Sequence, residues 1–231
     1  MASELARQEA RLAALAADSS AQSPIVTRVT FNRGNYKPGI EQLRVVRRQN
    51  TVNNVAAQVA LNVALIALTR GGAVQGFSKD ELAGDEIPEL AGHPAATNPA
   101  MQDVADGLGR VATRLYVKRA IEAVAEAKTD GSTPAEILAA AQIPTVFGTA
   151  LTPAGWRLVY EDLTSDDELY RLKFGAHLGR SFKGPTGCGY ASEALSWAAW
   201  QADGWQRLQE ERAKAANACV DQLGAYVTAN W

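Results

Sequence analysis

Hydrophobic and polar residues alternate along two segments in the second half of the chain. Trp156 and Leu158 lie on one side of the first segment, and residues 169–178 repeat the same period of two. This period is typical of half-buried strands, and the acidic residues 165–168 between the segments are typical of a turn. The pattern therefore predicts a β-hairpin over residues 156–178.

A second period, of three to four residues, covers much of the remaining chain. Apolar residues recur at this spacing in segments 40–68, 101–128 and 191–225, which are predicted to be helices. The β-branched segment 25–33 alternates instead and is predicted to be a strand. We therefore expect an α+β fold that is mostly helical, with one small antiparallel sheet built from the 156–178 hairpin and the 25–33 strand.

The length of 231 residues suits one globular domain with an appended arm. Residues 1–24 are predicted to form an N-terminal helical arm and linker, and residues 25–231 a single globular domain. Leu5, Leu12 and Leu15 form a narrow apolar stripe on the arm. Such a stripe is too narrow to bury the arm firmly, so we expect it to support weak homo-oligomerisation.

The charge of the chain is nearly balanced but unevenly distributed. A net charge of −2 argues against a nucleic-acid partner recognised through bulk charge. Residues 1–77 hold nine basic and four acidic residues, whereas residues 78–109 hold one and seven. The basic and acidic parts could meet between protomers, in a contact that salt would weaken.

The most apolar run predicts a buried helix rather than a membrane span. It extends from Val55 to Leu68 and is interrupted by Gln58 and Asn62. About 20 apolar residues are needed to cross a bilayer, so no transmembrane segment is predicted.

Two cysteines, Cys188 and Cys219, are predicted to form one disulfide, with two buried free thiols as the alternative. A disulfide indicates an oxidising compartment. The first residues lack the apolar core of a signal peptide, which fits either a cytoplasmic protein or a mature exported one. Arginine outnumbers lysine 16 to 7, as in GC-rich bacteria. We expect a periplasmic or outer-membrane-anchored protein, with a cytoplasmic location as the alternative.

Reactive chemistry is sparse in this sequence. Cys188 lies in a glycine-rich segment before a predicted helix, where a thiol pKa is lowered, so a thiol hydrolase using Cys188 and His177 is one alternative. The two histidines and two cysteines lack the spacing of a zinc site, so no metal is predicted. Segment 184–189 lacks the Gly-Lys-Ser/Thr ending of a phosphate-binding loop, and no cofactor is predicted.

Trp197, Trp200 and Trp205 cluster on the last predicted helix. Tryptophans can stack on a ligand, and these three are the candidate binding residues. The alternative is that they anchor the core or an interface, because aromatic side chains bury large apolar areas.

These observations favour a non-enzymatic binding or assembly component of a bacterial cell envelope, with a lipoprotein as one form of it. An anchor would then lie upstream of residue 3, and the partner would be another envelope protein. Two alternatives stay open: the thiol hydrolase, and a cytoplasmic or phage structural protein.

Overall fold

The computed structural model describes residues 6–7, 10–12, 24–31, 40–50, 52, 82–162, 168–179 and 186–230. The described residues form six strands of one mixed sheet. The strands are β1 (Val26–Val29), β2 (Arg44–Val46), β3 (Asp85–Glu86), β4 (Val146–Tyr160), β5 (Leu169–Gly179) and β6 (Thr186–Ser196).

Strand β4 is the centre of this sheet, whose order is β3-β2-β4-β5-β6. The antiparallel strand β5 pairs along one edge of β4, with Trp156 opposite Phe174. The other edge of β4 is shared by two short parallel strands. β1 pairs near its beginning, where Val29 lies opposite Leu151, and β2 pairs near its end.

The predicted small antiparallel sheet is therefore wrong, although the α+β class holds. The sheet is mixed, and the central strand begins at Val146, ten residues before the predicted hairpin. Pro153 and Gly155 concealed this extension, because both residues are unfavourable in strands and here flank a shift in the β4–β5 register. The predicted 25–33 strand is present as β1, but it pairs parallel to β4.

Three helices follow the usual local signals. They are α1 (Asp103–Asp130), α2 (Pro134–Ala140) and α3 (Trp197–Asn230). Helix α1 ends at Gly131, whose φ of 81° is the left-handed conformation that glycine adopts most readily. Helix α2 begins with a capping box, in which Glu136 N donates to Thr133 Oγ1 and Thr133 N donates to the Glu136 carboxylate.

Two predicted helices are corrected by the sheet. Within segment 40–68, residues 44–46 form strand β2, and most of the remainder lies outside the described residues. Within segment 191–225, residues 191–196 belong to strand β6, and the helix begins at Trp197. Small residues in β6 have low strand propensity, so pairing with β5 determines its conformation.

The core lies between one face of the sheet and helices α1 and α3. On this helix-covered face, Leu158, Leu172 and Leu178 are fully buried. The face is closed at one end by a run of 3₁₀ turns over residues 88–101, where the carbonyl oxygen of Ala96 accepts a hydrogen bond from Trp156 Nε1 at 2.7 Å. Alternate residues of the same strands, including Arg157 and Lys173, lie on the opposite side, the second face.

Candidate functional site

A disulfide fixes the edge of the sheet to the last helix. Cys188 on β6 lies opposite Ala176 on the helix-covered face, and Cys219 lies fully buried on α3. The structure joins the two residues, with Cα atoms 5.2 Å apart and 31 positions apart in sequence. This Cα separation is within the range that a disulfide requires. The bridge thus connects β6, an edge strand of the described sheet, to the middle of α3.

The structure does not bring Cys188 and His177 together. Their strands are neighbours, but His177 lies opposite Gly187 and is exposed on the second face, whereas Cys188 is buried on the helix-covered face. Adjacent positions of a strand point to opposite sides of the sheet. A proton transfer between these two side chains would have to cross the sheet.

The three candidate tryptophans lie where α3 meets strand β5. Trp200 is fully buried, and its indole Nε1 donates to the carbonyl oxygen of Tyr170 at 2.9 Å. Trp197 is half-buried and contacts the rings of Tyr170 and Trp205 edge-on, at centroid distances of 5.4 and 5.5 Å. The guanidinium of Arg47 lies 4.7 Å above the Trp197 ring. Trp197 is therefore the most accessible member, and it is already covered on one face by a cation.

A backbone kink positions Trp205 in this cluster. The backbone from Ala202 to Trp205 is not helical, and Asp203, Gly204 and Trp205 have φ values of 50°, 63° and 65°. Left-handed conformations cost a residue with a side chain about 1–2 kcal/mol. Burial of the Trp205 indole against Trp197 offsets that cost, because an aromatic side chain removes a large apolar area from water.

A buried carboxylate, that of Glu211, lies on the same helix about two turns before Cys219. Glu211 is only 2 % exposed, and its carboxylate accepts hydrogen bonds from the Tyr190 hydroxyl and from Lys214 Nζ at 2.8 Å. Arg207 Nη2 lies 3.1 Å from the same carboxylate. The Glu211 carboxylate thus has two cationic partners and one hydroxyl donor. A buried carboxylate needs partners of this kind, because burial removes the charge from water.

These contacts shift two pKa values. Burial raises the pKa of Glu211, but Lys214, Tyr190 and Arg207 together outweigh it, so the net shift is downward. Burial and the hydrogen bond to Glu211 raise the pKa of Tyr190 to about 12. Both groups stay in one protonation state near neutral pH, so the cluster stabilises the contact between β6 and α3.

Sequence reasoning missed Glu211 and Arg47. The signal for Glu211 was present, because it interrupts the apolar row that contains Leu208 and Ala215 on the predicted helix. A charged residue in such a row is buried only when its charge is paired, so its position indicates an ion pair in the core. No signal marked Arg47, because its distance from the tryptophans in sequence is large and its segment was predicted to be helical.

Metal-ligand clusters and membrane-spanning helices are both absent from the part of the chain that the structure describes. Among these residues, no group of three or more His, Cys, Asp and Glu side chains could hold a metal ion. Within the same residues, no helix has the length and apolar character needed to span a bilayer. Comparison of the chain with protein-family models, curated proteins and solved structures finds no match.

Proposed function

We propose that this chain is a non-catalytic binding or assembly component of a bacterial cell envelope, located in the periplasm or anchored to the outer membrane as a lipoprotein. The observation that carries the proposal is the Cys188–Cys219 disulfide. Disulfides persist in oxidising compartments and are rare in a reducing cytosol. The envelope is the oxidising compartment of a bacterium.

The position of the bridge supports a structural use of the two cysteines. Cys219 is fully buried and Cys188 is 8 % exposed, so neither sulfur is placed to meet a substrate. Reactive cysteines are accessible and lie in electropositive surroundings. The separation of Cys188 from His177 by the sheet favours a binding protein over the thiol hydrolase.

The test is alkylation of the protein isolated from its native source, after unfolding without reductant. We expect no alkylated cysteine, and full alkylation of both after reduction. A Cys219→Ala variant is the control, because its Cys188 should react without reductant. Two alkylated cysteines in the untreated native protein would overturn the proposal and favour a cytoplasmic or phage structural protein. Labelling of Cys188 alone in the folded protein would favour the hydrolase.

The partner in this proposal is another envelope protein, and the N-terminal arm adds a weak homo-oligomer. In the described part of the arm, Leu12 is buried against α1 and α2 of the same chain, beside Val124 and Ile137. Leu5 and Leu15 lie outside the described residues. Sedimentation of the full chain and of a Leu5→Glu, Leu15→Glu variant tests the arm. If both proteins sediment as monomers at low salt and high protein concentration, the arm does not mediate self-association.

A further inference from the structure

Helices α1 and α3 run in the same direction and pack closely against each other. A Cβ atom added at Gly107 would overlap the Val220 side chain, and one added at Gly224 would lie 3.3 Å from Val111 Cγ2. From the first contact to the second, both helices advance by four residues, so they are parallel over this stretch. The two glycines let the helices approach each other without a side chain between them.

A groove of about 370 Å³ follows the solvent side of this contact. Its floor is apolar and is formed by Val111 and Leu115 on α1, and by Val220 and Gly224 on α3. On each helix these residues are four apart, so they lie on one face. The groove between them is therefore of the kind into which the side-chain ridge of a further helix packs.

The rim of the groove on α1 is basic. Arg114 and Lys118 are exposed lining residues, and Arg110 lies one turn earlier in the same row. Arg110 and Arg114 form no ion pair with any residue that the structure describes. Lys118 lies 3.9 Å from Glu122, but the two side chains are 73 % and 63 % exposed, so this pair contributes little. Three cations thus follow each other at intervals of about 6 Å along the helix.

The rim on α3 differs in charge. Its exposed residues are Asp221, Ala225 and Thr228. Within the described chain, Asp221 forms no ion pair with the cations across the groove. A flat anionic membrane would meet this carboxylate together with the cations, whereas a helix in the groove has one flank for each rim. The difference between the rims therefore favours a helix whose acidic flank faces α1.

An exposed apolar side chain continues the basic row beyond the groove. Ile121 follows Lys118 by three residues and is 44 % exposed, although most large hydrophobic side chains of the described chain are at least partly buried. An apolar side chain beside an apolar groove enlarges the surface that a partner can remove from water.

We infer that the α1–α3 groove binds an amphipathic helix of a partner protein. Its apolar side chains lie in the groove, and its acidic side chains, four residues apart, face Arg110, Arg114 and Lys118. Amphipathic helices bind grooves of this kind through apolar anchors three, four and seven residues apart. This site rests on the proposed binding function but on neither the disulfide nor the compartment. Alkylation of both cysteines would leave it intact, and a failure of helix binding would leave the compartment intact.

Two synthetic peptides test the site. Each has about 18 residues, enough to form a helix, with leucines at three- and four-residue spacing on one face. The acidic peptide has glutamates on the flank of that face, and the basic peptide has lysines at the same positions. Each is titrated into the full-length protein and followed through the backbone amide resonances. We expect saturable binding of the acidic peptide, with shifts at Leu115 and Gly224, an affinity that salt lowers, and binding of the basic peptide about tenfold weaker.

Charge reversal tests the basic rim. Arg114→Glu should weaken binding of the acidic peptide about tenfold and strengthen binding of the basic one, because it replaces an attraction by a repulsion. Arg119→Glu is the matched control. It changes the net charge equally, and Arg119 is exposed on the same helix but does not line the groove. This control should bind both peptides as the wild type does.

Filling the groove tests its apolar floor. Ala225→Phe adds a large side chain at an exposed lining position, and it should abolish binding of the acidic peptide. Ala229→Phe adds the same side chain one turn later on α3, at an exposed position outside the lining, and it should bind normally. A native circular-dichroism spectrum of each variant confirms that the fold is retained.

Several results would overturn the inference. One is the absence of saturable binding of the acidic peptide by the wild-type protein. Equal weakening by Arg114→Glu and Arg119→Glu would show that overall charge, rather than the groove, attracts the peptide. Shifts at Leu115 and Gly224 that depend on protein concentration without peptide would place a second copy of the chain in the groove. Shifts there with phosphatidylglycerol vesicles but with neither peptide would assign the groove to a membrane surface.

Discussion

The side-chain amide of Gln222 pairs with the backbone of Gly189 in the manner of a neighbouring strand. Gln222 Oε1 accepts from Gly189 N, and Gln222 Nε2 donates to Gly189 O, both at 3.1 Å. Gly189 lies in β6, an edge strand of the described sheet, and Gln222 lies on α3. An edge strand presents backbone groups that can pair with another chain. The Gln222 amide hydrogen-bonds two of these backbone groups, so they are not available to another chain.

Replacing Gln222 should therefore weaken the fold and expose the edge. We expect Gln222→Ala to lower the free energy of unfolding by about 1 kcal/mol, the net effect typical of partly exposed hydrogen bonds. Association at high concentration should increase. Urea unfolding and light scattering measure the two effects.

The matched control for this variant is Gln206→Ala, because the side-chain amide of Gln206 donates to the Glu210 carboxylate at 3.1 Å within the same helix. Both variants gain the same helix propensity from alanine. If the two unfold at the same urea concentration, the Gly189 contact contributes nothing to stability.

The disulfide should supply a large share of the stability. Its cysteines are 31 positions apart, and the chain-entropy model gives a loop of this size about 3–4 kcal/mol. Reduction should move the urea midpoint downward by a corresponding amount. A Cys188→Ala, Cys219→Ala double variant should be insensitive to reductant. If reduction leaves the wild-type urea midpoint unchanged, the disulfide does not contribute to the free energy of unfolding.

Local signals predicted part of this fold well. The α1 helix follows from the spacing of its apolar residues, and the antiparallel pairing of β4 with β5 follows from the alternation over residues 156–178. Each of these depends on residues that are close in sequence. The pairing of Cys188 with Cys219 could be proposed because the chain has only two cysteines.

The parts that could not be predicted depend on distant residues. Strand β2 has three residues, and its conformation is fixed by pairing with Arg157 and its neighbours more than 100 positions away. Strand β6 is rich in glycine and alanine, and only the pairing with β5 makes it extended. The alignment of Arg44, Arg157 and Lys173 across β2, β4 and β5 cannot be recognised before the registers of these strands are known.

Replacement by alanine should have opposite effects on stability at two glycines, Gly204 in the kink of α3 and Gly155 in β4. Gly204 has a φ of 63°, and a Cβ added there meets no atom within 4 Å, so Gly204→Ala should destabilise through backbone strain alone, by about 1 kcal/mol. Gly155 has the same open space without a positive φ. Gly155→Ala should therefore stabilise by about 0.4–1 kcal/mol, through the lower entropy of the unfolded chain. Thermal unfolding of both variants tests the direction of each change in stability. A Gly204→Ala variant that is more stable than the wild type would contradict backbone strain at the kink.

The Tyr190–Glu211 pair should make stability fall at both ends of the pH range. Burial and Glu211 raise the pKa of Tyr190 to about 12 in the folded protein, from 10 in the unfolded chain. The unfolded chain therefore loses this proton first, and the stability that the raised pKa contributes is present below pH 10 and lost as the pH rises to about 12. For Glu211 the folded pKa is lowered, so its contribution is present above the ordinary glutamate pKa of about 4.3 and lost as the pH falls through the folded value.

Two variants assign the loss of stability at alkaline pH to Tyr190 and the loss at acid pH to Glu211. Tyr190→Phe should reduce the loss of stability between pH 10 and 12, and Glu211→Gln should reduce the loss at acid pH. Urea unfolding at a series of pH values measures both. Because the two side chains share a hydrogen bond, the double variant should lose less stability than the sum of the single ones. Strictly additive losses would show that the contact between Tyr190 and Glu211 does not couple β6 to α3.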